Sequence, residues 1–558
     1  MTLKHLPMRH WLAWLSFALF QAVAQAAEPT VAFTVTAGDT LIRLSERVLV
    51  SPDAWQEVAT LNRLSNVNVI RPGQVLTIPT RLLRWSLVDA RLVSVNGDVR
   101  VDGRTSAAQD TLNEGQKLET GPEGSAVLEL ADKSRIKLAP SSLAEVVASR
   151  RHVASSDAAS SPSTGLFSGA LRLLRGSVEV FATKVLRAKP LEVTTPTAVV
   201  GVRGTEYRVS FEEAANGSTR TEVLEGKVRF DADVTTSTRV AAGTGAGADV
   251  AGGFGAALDA SAAPPTVVKL LPAPDLGPAP ERFERPIVRF SLAGELQPLR
   301  VQVATDAAFD KLVRTFRVEP GAEVRVAGLE DGQWYLRARR VDPLGIEGLD
   351  AVRPFVLKAR PEPPASTVPR RGAKQTVGPV DFAWAQNVEA SSQRLQIARE
   401  ATFKDVLLDR DALTGTTTRI DLTEQGTYFW RLASVRASGD QGPFGDPLSF
   451  ELRPTPEPPK GGLAADNGSM VFSWAGRPQD RQQAELARDP AFKDIVASAE
   501  LTRSEWVLPP PARSGDYLFR YRSIEPDGFV SPNSSTLKIV VPKDWSYLFL
   551  ALPLLFAL

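Results

Sequence analysis

Few residues in this 558-residue chain are suited to covalent or metal chemistry, and their types exclude most of it. There is no cysteine, and the three histidines are His5, His10 and His152. Thiol nucleophiles are therefore excluded, and zinc sites, which need two or more His or Cys ligands, nearly so. A Ser-His-Asp arrangement would have to rest on His152. That residue falls in a Ser- and Ala-rich stretch, Ala148 to Thr164, which reads as an exposed loop and a poor platform for catalysis. With 64 Asp and Glu residues, a pair of carboxylates for glycoside hydrolysis stays open in principle. Gly243 to Gly255 is glycine-rich but lacks the Gly-Lys-Ser/Thr ending of a phosphate loop, so it reads as a turn-rich linker. The expectation is a protein that is not an enzyme, with no catalytic residue, metal or cofactor.

A chain of this length exceeds one ordinary core, and three to five domains are expected. Apolar residues make up 43%, and 41 prolines with 40 glycines suit soluble, turn-rich β domains. Lys4 and Arg9, the apolar run Trp11 to Val23, and Ala24-Gln25-Ala26 form the pattern of a secretion signal. Residues 1–26 thus read as a cleaved leader, and the protein as exported to the periplasm or cell envelope. Without them, 63 basic side chains stand against 64 acidic ones. That balance speaks against nucleic acid as a partner, because phosphates demand concentrated cations. The absence of cysteine excludes disulfides and the lipid-modified cysteine of a lipoprotein. At the other end, residues 545–558 (WSYLFLALPLLFAL) carry no charge. As a helix they would reach about 21 Å at 1.5 Å per residue, short of the ~30 Å bilayer core. Two readings stand: a tail that contacts a membrane or partner, and a buried last segment of the final domain.

The elements that position recognition residues begin at Val31. Alternation in Phe33-Thr34-Val35-Thr36 predicts a strand, and Thr40 is placed to cap a helix carrying Leu41, Leu44 and Val48. Pro52-Asp53 opens a second helix with Trp55, Val58, Ala59 and Leu61 at core spacing. Arg71-Pro72-Gly73-Gln74 then turns into a strand, Val75 to Ile78. The order is βααβ. The opening Phe33-x-Val35-x-x-Gly38-Asp39-Thr40-Leu41, the middle Leu61-Asn62 and the closing Ile70-x-Pro72-Gly73-Gln74-x-Leu76-x-Ile78-Pro79 make residues 31–80 similar to a LysM domain. The resemblance implies binding of N-acetylglucosamine-containing glycan, here peptidoglycan, in a shallow groove. It assigns the contacts to Gly38, Asp39, Thr40 and Leu41 on one side. Asn68, Val69, Ile70 and Pro72 stand on the other. Gly38, Asp39 and Pro72-Gly73 would also be required by the turns alone. A single copy implies weak binding, since such modules gain by avidity.

Residues 85–270 show short alternating runs such as Ser125 to Leu130 and Gly176 to Phe181, a β-sheet pattern. Thr195-Pro196-Thr197-Ala198, Val202-Arg203-Gly204-Thr205 and Val223-Leu224-Glu225-Gly226-Lys227-Val228 resemble the FecR domain. Asp132 to Pro140 fits the strand that precedes them. The family signature here is Pro196, Val202, Arg203, Gly204, Thr205 and Gly226. Founding members of that family relay a transport signal to a sigma factor through a cytoplasmic segment and a membrane span. A leader and a LysM-like module replace both here, so only periplasmic sensing or protein docking carries over. Arg203, a charge in an apolar run, is expected either to be paired, with Glu206 or Glu225 as candidates, or to meet a partner.

The remaining chain repeats three times. VQVATDAAFDKLV (301–313), LQIAREATFKDVL (395–407) and AELARDPAFKDIV (484–496) carry Phe309, Phe403 and Phe492. Each phenylalanine is followed 23 residues later by Gly332, Gly426 or Gly515, then by Trp334, Tyr428 or Tyr517, and by Arg337, Arg431 or Arg520. Upstream, Phe290, Trp384 and Trp474 match. The pattern resembles fibronectin type III, Ig-like β-sandwiches at 280–360, 370–455 and 463–542, with inward-packed aromatics. The proline-rich joints at 361–369 and 454–459 are expected to be semi-rigid spacers. The expected fold is thus mainly β: a small βααβ module, a β-rich FecR-like domain and three sandwiches. Functionally this implies a non-catalytic periplasmic scaffold or sensor that links peptidoglycan to an unknown envelope or membrane protein. The alternatives are a signalling regulator relaying to a membrane protein and an accessory of a cell-wall hydrolase.

Overall fold

The computed structural model describes residues 30–153, 166–185, 187–202, 204–214, 217–232, 247–259, 264–291, 294–463, 469–509 and 511–543. The leader, Arg203, residues 154–165 of the Ser/Ala-rich stretch and the 545–558 tail lie outside them. The fold is mainly β, about 53% strand and 4% helix. It divides into two compact units. One holds the N-terminal module, the FecR-like domain and most of the first repeat, and the other holds the second and third repeats.

The N-terminal module has the expected βααβ order: Thr30–Thr34, Leu41–Val48, Trp55–Leu61 and Val75–Pro79. The two strands pair antiparallel, Val31 opposite Ile78 and Phe33 opposite Leu76. Thr40 caps the first helix, its hydroxyl accepting the Arg43 N–H. Leu41, Leu44, Val48, Val58, Leu76 and Ile78 form the core. Leu61 departs from expectation, being 47% exposed at the last position of its helix. Its neighbour Asn62 does the work there. The Asn62 amide donates to Val58 O (2.8 Å) and Thr77 O (2.7 Å), and its Oδ1 accepts the Thr77 N–H (2.6 Å). The asparagine therefore ties the helix end to the second strand.

In the FecR-like domain the strands form a closed circuit of pairings. The 16-residue strand Leu166–Phe181 belongs to both of its faces. Its first half pairs with Leu143–His152, its second half with Arg135–Leu138 and Glu206–Glu212. The switch falls at Gly176, which has φ +87°, and a Cβ there would lie 2.3 Å from Ser142 Oγ. Glycine is required at this bend. Leu92, Leu128, Ile136, Leu173, Val180, Val200, Tyr207 and Phe230 fill the enclosed core.

Two sequence expectations are corrected in this domain. Residues 148–152 are not loop, because they complete the strand Leu143–His152 with both neighbours paired. The glycine-rich stretch is not linker where it is described. Ala248–Ala251 and Phe254–Leu258 are two strands joined through Gly253 with φ +84°, and they pair with Lys227–Ala232 and Ser218–Glu225 respectively. Gly252-Gly253 supplies the tight turn that carries the chain from one face to the other.

Each repeat is a sandwich. In the first, Ala351–Leu357, Gly332–Arg340, Leu299–Ala304 and Leu312–Val318 are successive neighbours, and Val288–Phe290 pairs with Val324–Val326. The second and third repeat this plan with facing three-stranded sheets. The aromatics pack inward, Phe290, Trp384, Trp474, Trp334, Tyr428 and Tyr517 all being buried. The repeated Phe309, Phe403 and Phe492 have φ of 57°, 54° and 54°, each in the turn that precedes a β-bulge in the next strand. A bulky residue tolerates that backbone only when packing compensates. Here the repeated arginines lie over the rings: Arg337, Arg431 and Arg520 sit 4.4, 4.1 and 3.8 Å from the three ring centroids.

The proline-rich joints carry side-chain contacts through their carbonyls. Glu362 O accepts from Ser434 Oγ (2.7 Å) and Asn387 Nδ2 (2.5 Å), and Glu457 O accepts from Tyr521 OH (2.8 Å). Each joint is thus fastened by a carbonyl to the sandwich that follows it, since proline-rich backbone leaves its carbonyls open to such donors.

Candidate glycan groove and interdomain cleft

The two loops assigned to glycan are held side by side. Gly73 N donates to Val35 O (2.8 Å) and Val35 N to Gln74 O (2.9 Å), so the turn at Pro72-Gly73 is fastened to the strand that leads into Gly38-Asp39. Gly38 takes φ +87° and Gly73 φ +85°. Gly38, Thr40, Asn68, Val69 and Pro72 are exposed, and Ile70 is half-buried. Leu41 is 3% exposed and points into the core, so its side chain supports the loop from beneath. Asp39 is already engaged. Its Oδ2 accepts from Thr36 N (2.8 Å) and Thr36 Oγ1 (2.7 Å), and Oδ1 meets Arg47 Nη2 at 2.9 Å. Burial alone would raise its carboxyl, but the Thr36 and Arg47 contacts outweigh this and hold it below the usual range. Ile42 and Val67, which the sequence reading passed over, are 55% and 37% exposed. The signal for Ile42 was its position off the Leu41–Leu44–Val48 stripe.

The FecR signature residues shape the backbone. Thr195 Oγ1 accepts the Ala198 N–H (3.0 Å) and lies 2.6 Å from Thr219 Oγ1, closing the turn that contains Pro196. Val202 is buried opposite Leu191 and Val228. Gly204 has φ +70° and Gly226 φ +88°. A Cβ on Gly226 would meet Thr205 Cγ2 at 2.4 Å, and one on Gly204 would meet Lys184 Cγ at 2.7 Å. Glu225, a candidate partner for Arg203, pairs with Lys184 at 2.7 Å. Glu206 is pushed up by burial and by the like charges of Glu179, Asp350 and Glu225.

Sequence reasoning missed a heavily charged site between the FecR-like domain and the first sandwich. Glu179 pairs with Arg337 (2.7 Å) and Arg339 (2.5 Å), and Arg339 also holds Glu347 (2.8 Å) and Asp350 (2.5 Å). Asp310 binds Arg135 (2.7 Å) and Lys137 (2.8 Å). Asn96 Nδ2 donates to Leu312 O (2.6 Å), and Ser125 Oγ accepts the Leu312 N–H (3.0 Å). Burial would raise Glu179, but Arg337, Arg339 and Arg208 outweigh it and hold the carboxyl far below its ordinary range. Glu222 behaves oppositely: burial pushes it up to about 7, with Arg208 offsetting only part. An open cavity of about 610 Å³ lies along the seam.

His152 sits at a strand end, 6% exposed, its Nε2 2.9 Å from Ser168 Oγ. Burial lowers its basicity. Ser168 is also 6% exposed, so the pair offers no accessible nucleophile. Among the described residues no group of three or more His, Asp or Glu is placed to hold a metal, and no helix is long and apolar enough to cross a membrane.

Residues 33–79 match the LysM domain, and residues 116–229 match the FecR protein. The chain carries a LysM domain and a FecR domain. These are non-catalytic binding and signalling families of the cell envelope, LysM suggesting peptidoglycan binding and FecR envelope signalling. Among curated proteins, none matches the chain. Among solved structures, a candidate anti-sigma factor from Parabacteroides distasonis is 12% identical over 27% of this chain and 59% of its own, with a TM-score of 0.21. The chain therefore spans about three fifths of that protein. Chicken CNTN1 FN1–FN3 domains are 12% identical over 49% of this chain and 99% of theirs, TM-score 0.20. The fibronectin(III)-like modules of Clostridium thermocellum CbhA are 12% identical over 32% and 93%, TM-score 0.20.

Proposed function

We propose that this protein is a non-catalytic, exported scaffold and sensor. Its LysM domain grips N-acetylglucosamine-containing wall glycan, and its FecR domain with the first sandwich meets an envelope or membrane protein. The observation that carries the reading is the pair of exposed loops fastened together through Val35, Gly73 and Gln74, which offers backbone groups beside the apolar Val69. An N-acetyl group presents an amide and a methyl, and such a surface suits both. Retention of the full chain on purified peptidoglycan tests this. Val69→Asp and deletion of 31–80 are expected to release the protein, and retention equal to the parent overturns the reading. On a murein zymogram no clearing is expected, and a clear band contradicts the non-catalytic part.

The FecR match favours a second reading, a regulator that relays an envelope signal to a membrane protein. The uncharged 545–558 tail would be its contact. Deleting the tail then shifts the protein from the membrane to the soluble fraction of broken cells, and unchanged fractionation argues against it.

A further inference from the structure

The 610 Å³ cavity between the FecR domain and the first sandwich is built around two incomplete polar groups. Arg208, 3% exposed, lines it. Its Nη2 donates to Gly348 O (2.8 Å), but Nε and Nη1 have no hydrogen-bond partner. The carboxylates around it stand too far for hydrogen bonds: Glu222 at 3.9 Å from Nε, Glu347 at 3.5 Å and Asp350 at 3.7 Å from Nη1. The last two are already taken by Arg339, at 2.8 and 2.5 Å. Glu222 is half-used as well. Its Oε1 accepts the Glu347 N–H (3.0 Å), while among the described residues no hydrogen bond reaches Oε2. A buried guanidinium with spare donors beside a buried carboxyl with a spare acceptor calls for a ligand that supplies both counterparts. Phe211 and Phe309 add apolar wall to the same cavity.

We propose that this cavity binds a short zwitterionic peptide, with Arg208 taking its carboxylate and Glu222 its ammonium. The volume lies within the range of small-ligand pockets and holds roughly three to five small residues. Charge-assisted bonds at both ends make free termini the recognised feature. Because the cavity walls come from both domains, the peptide would bear on how firmly they hold together. The inference deepens the sensor half of the proposed function and stands apart from glycan retention.

Calorimetric titration of the full chain tests it, with tetra-alanine, its N-acetylated form and its N-acetylated amide as probes. Tetra-alanine is expected to bind, and the doubly blocked peptide at least about tenfold more weakly. Ser210→Phe, which fills the cavity from a strand beside Arg208, abolishes binding while leaving retention on peptidoglycan intact. Glu222→Gln removes the preference for the free amine, so that tetra-alanine and its N-acetylated form bind alike. No binding of tetra-alanine at millimolar concentration, equal affinity for blocked and free peptides, or unchanged binding by Ser210→Phe overturns the proposal. Loss of glycan retention in Val69→Asp with peptide binding preserved separates the two functions.

Discussion

Single side chains settle how the two recognisable domains hold their loops. Asn62 makes three hydrogen bonds across the LysM domain, two of them to Thr77. Asn62→Ala removes all three bonds and is expected to cost about 1 kcal/mol in urea or thermal melts. Leu61→Ala, one residue earlier and exposed, shifts the same melts by less than about 0.5 kcal/mol. A stability loss as large for Leu61 would refute this division of labour. The FecR glycines allow a similar contrast. Gly226 and Gly253 share positive φ, at 88° and 84°, but only Gly226 faces an obstacle, Thr205 Cγ2 at 2.4 Å. Gly253→Ala carries backbone strain alone, about 1 kcal/mol. Gly226→Ala adds a clash and is expected to lose roughly 3 kcal/mol by chemical denaturation, and equal losses would show that φ is the whole reason for Gly226.

At the level of elements, the threefold repeat has a physical cause. Phenylalanine takes positive φ in the turn, a bulge in the next strand follows it, and an arginine from a neighbouring strand covers the ring. In each copy the arginine is held by a residue on the strand it crosses: Gln302, Gln396 or Glu485. Arg431 lies between two rings, Phe403 at 4.1 Å and Phe444 at 4.3 Å. Arg431→Met keeps the length but loses the charge over both rings. The second sandwich should then melt lower by about 1 kcal/mol, and an unchanged melt would assign the contact to packing alone.

Across the molecule, the first repeat has been drawn into the FecR domain by the buried network around Glu179. The protonation equilibria there act in opposite directions. Glu179 is depressed, so its contribution is present above the ordinary glutamate pKa and is lost as pH falls through its folded value. Glu222 is raised to about 7, so its contribution is full below the ordinary glutamate pKa and is lost as pH rises toward 7. The groups facing Glu222 are Arg208, Arg339 and Glu347. Glu222→Gln is therefore expected to remove a stability decline of roughly 2 kcal/mol between pH 5 and 7.5. A parallel decline in the variant would rule out Glu222 as its source. Glu179→Gln leaves Arg337 and Arg339 buried with less compensation. It is expected to cost on the order of 3 kcal/mol and to speed proteolysis between the FecR domain and first sandwich.

The sequence by itself determined the modules. Spacing of Leu41, Leu44 and Val48, the turn residues and the threefold Phe-Gly-Arg pattern are local signals, and local geometry decides them. It misjudged the positions where local pattern and long-range pairing disagree. Leu61 lies at core spacing, yet it is exposed at its helix end. Residues 148–152 and the segments flanking the glycine pair at 252–253 look loop-like, yet partner strands recruit them into the sheet circuit. For the glycan loops, the sequence supplied the residues, but only the fold showed Asp39 engaged, Leu41 buried and Val35 joined to Gly73 and Gln74. The charged cleft was not legible at all. Arg208, Glu222, Arg337 and Glu347 are ordinary surface-type residues in sequence, separated by up to 139 positions. Their burial and partners exist only once two domains close over them, since the energy of a charge depends on what surrounds it.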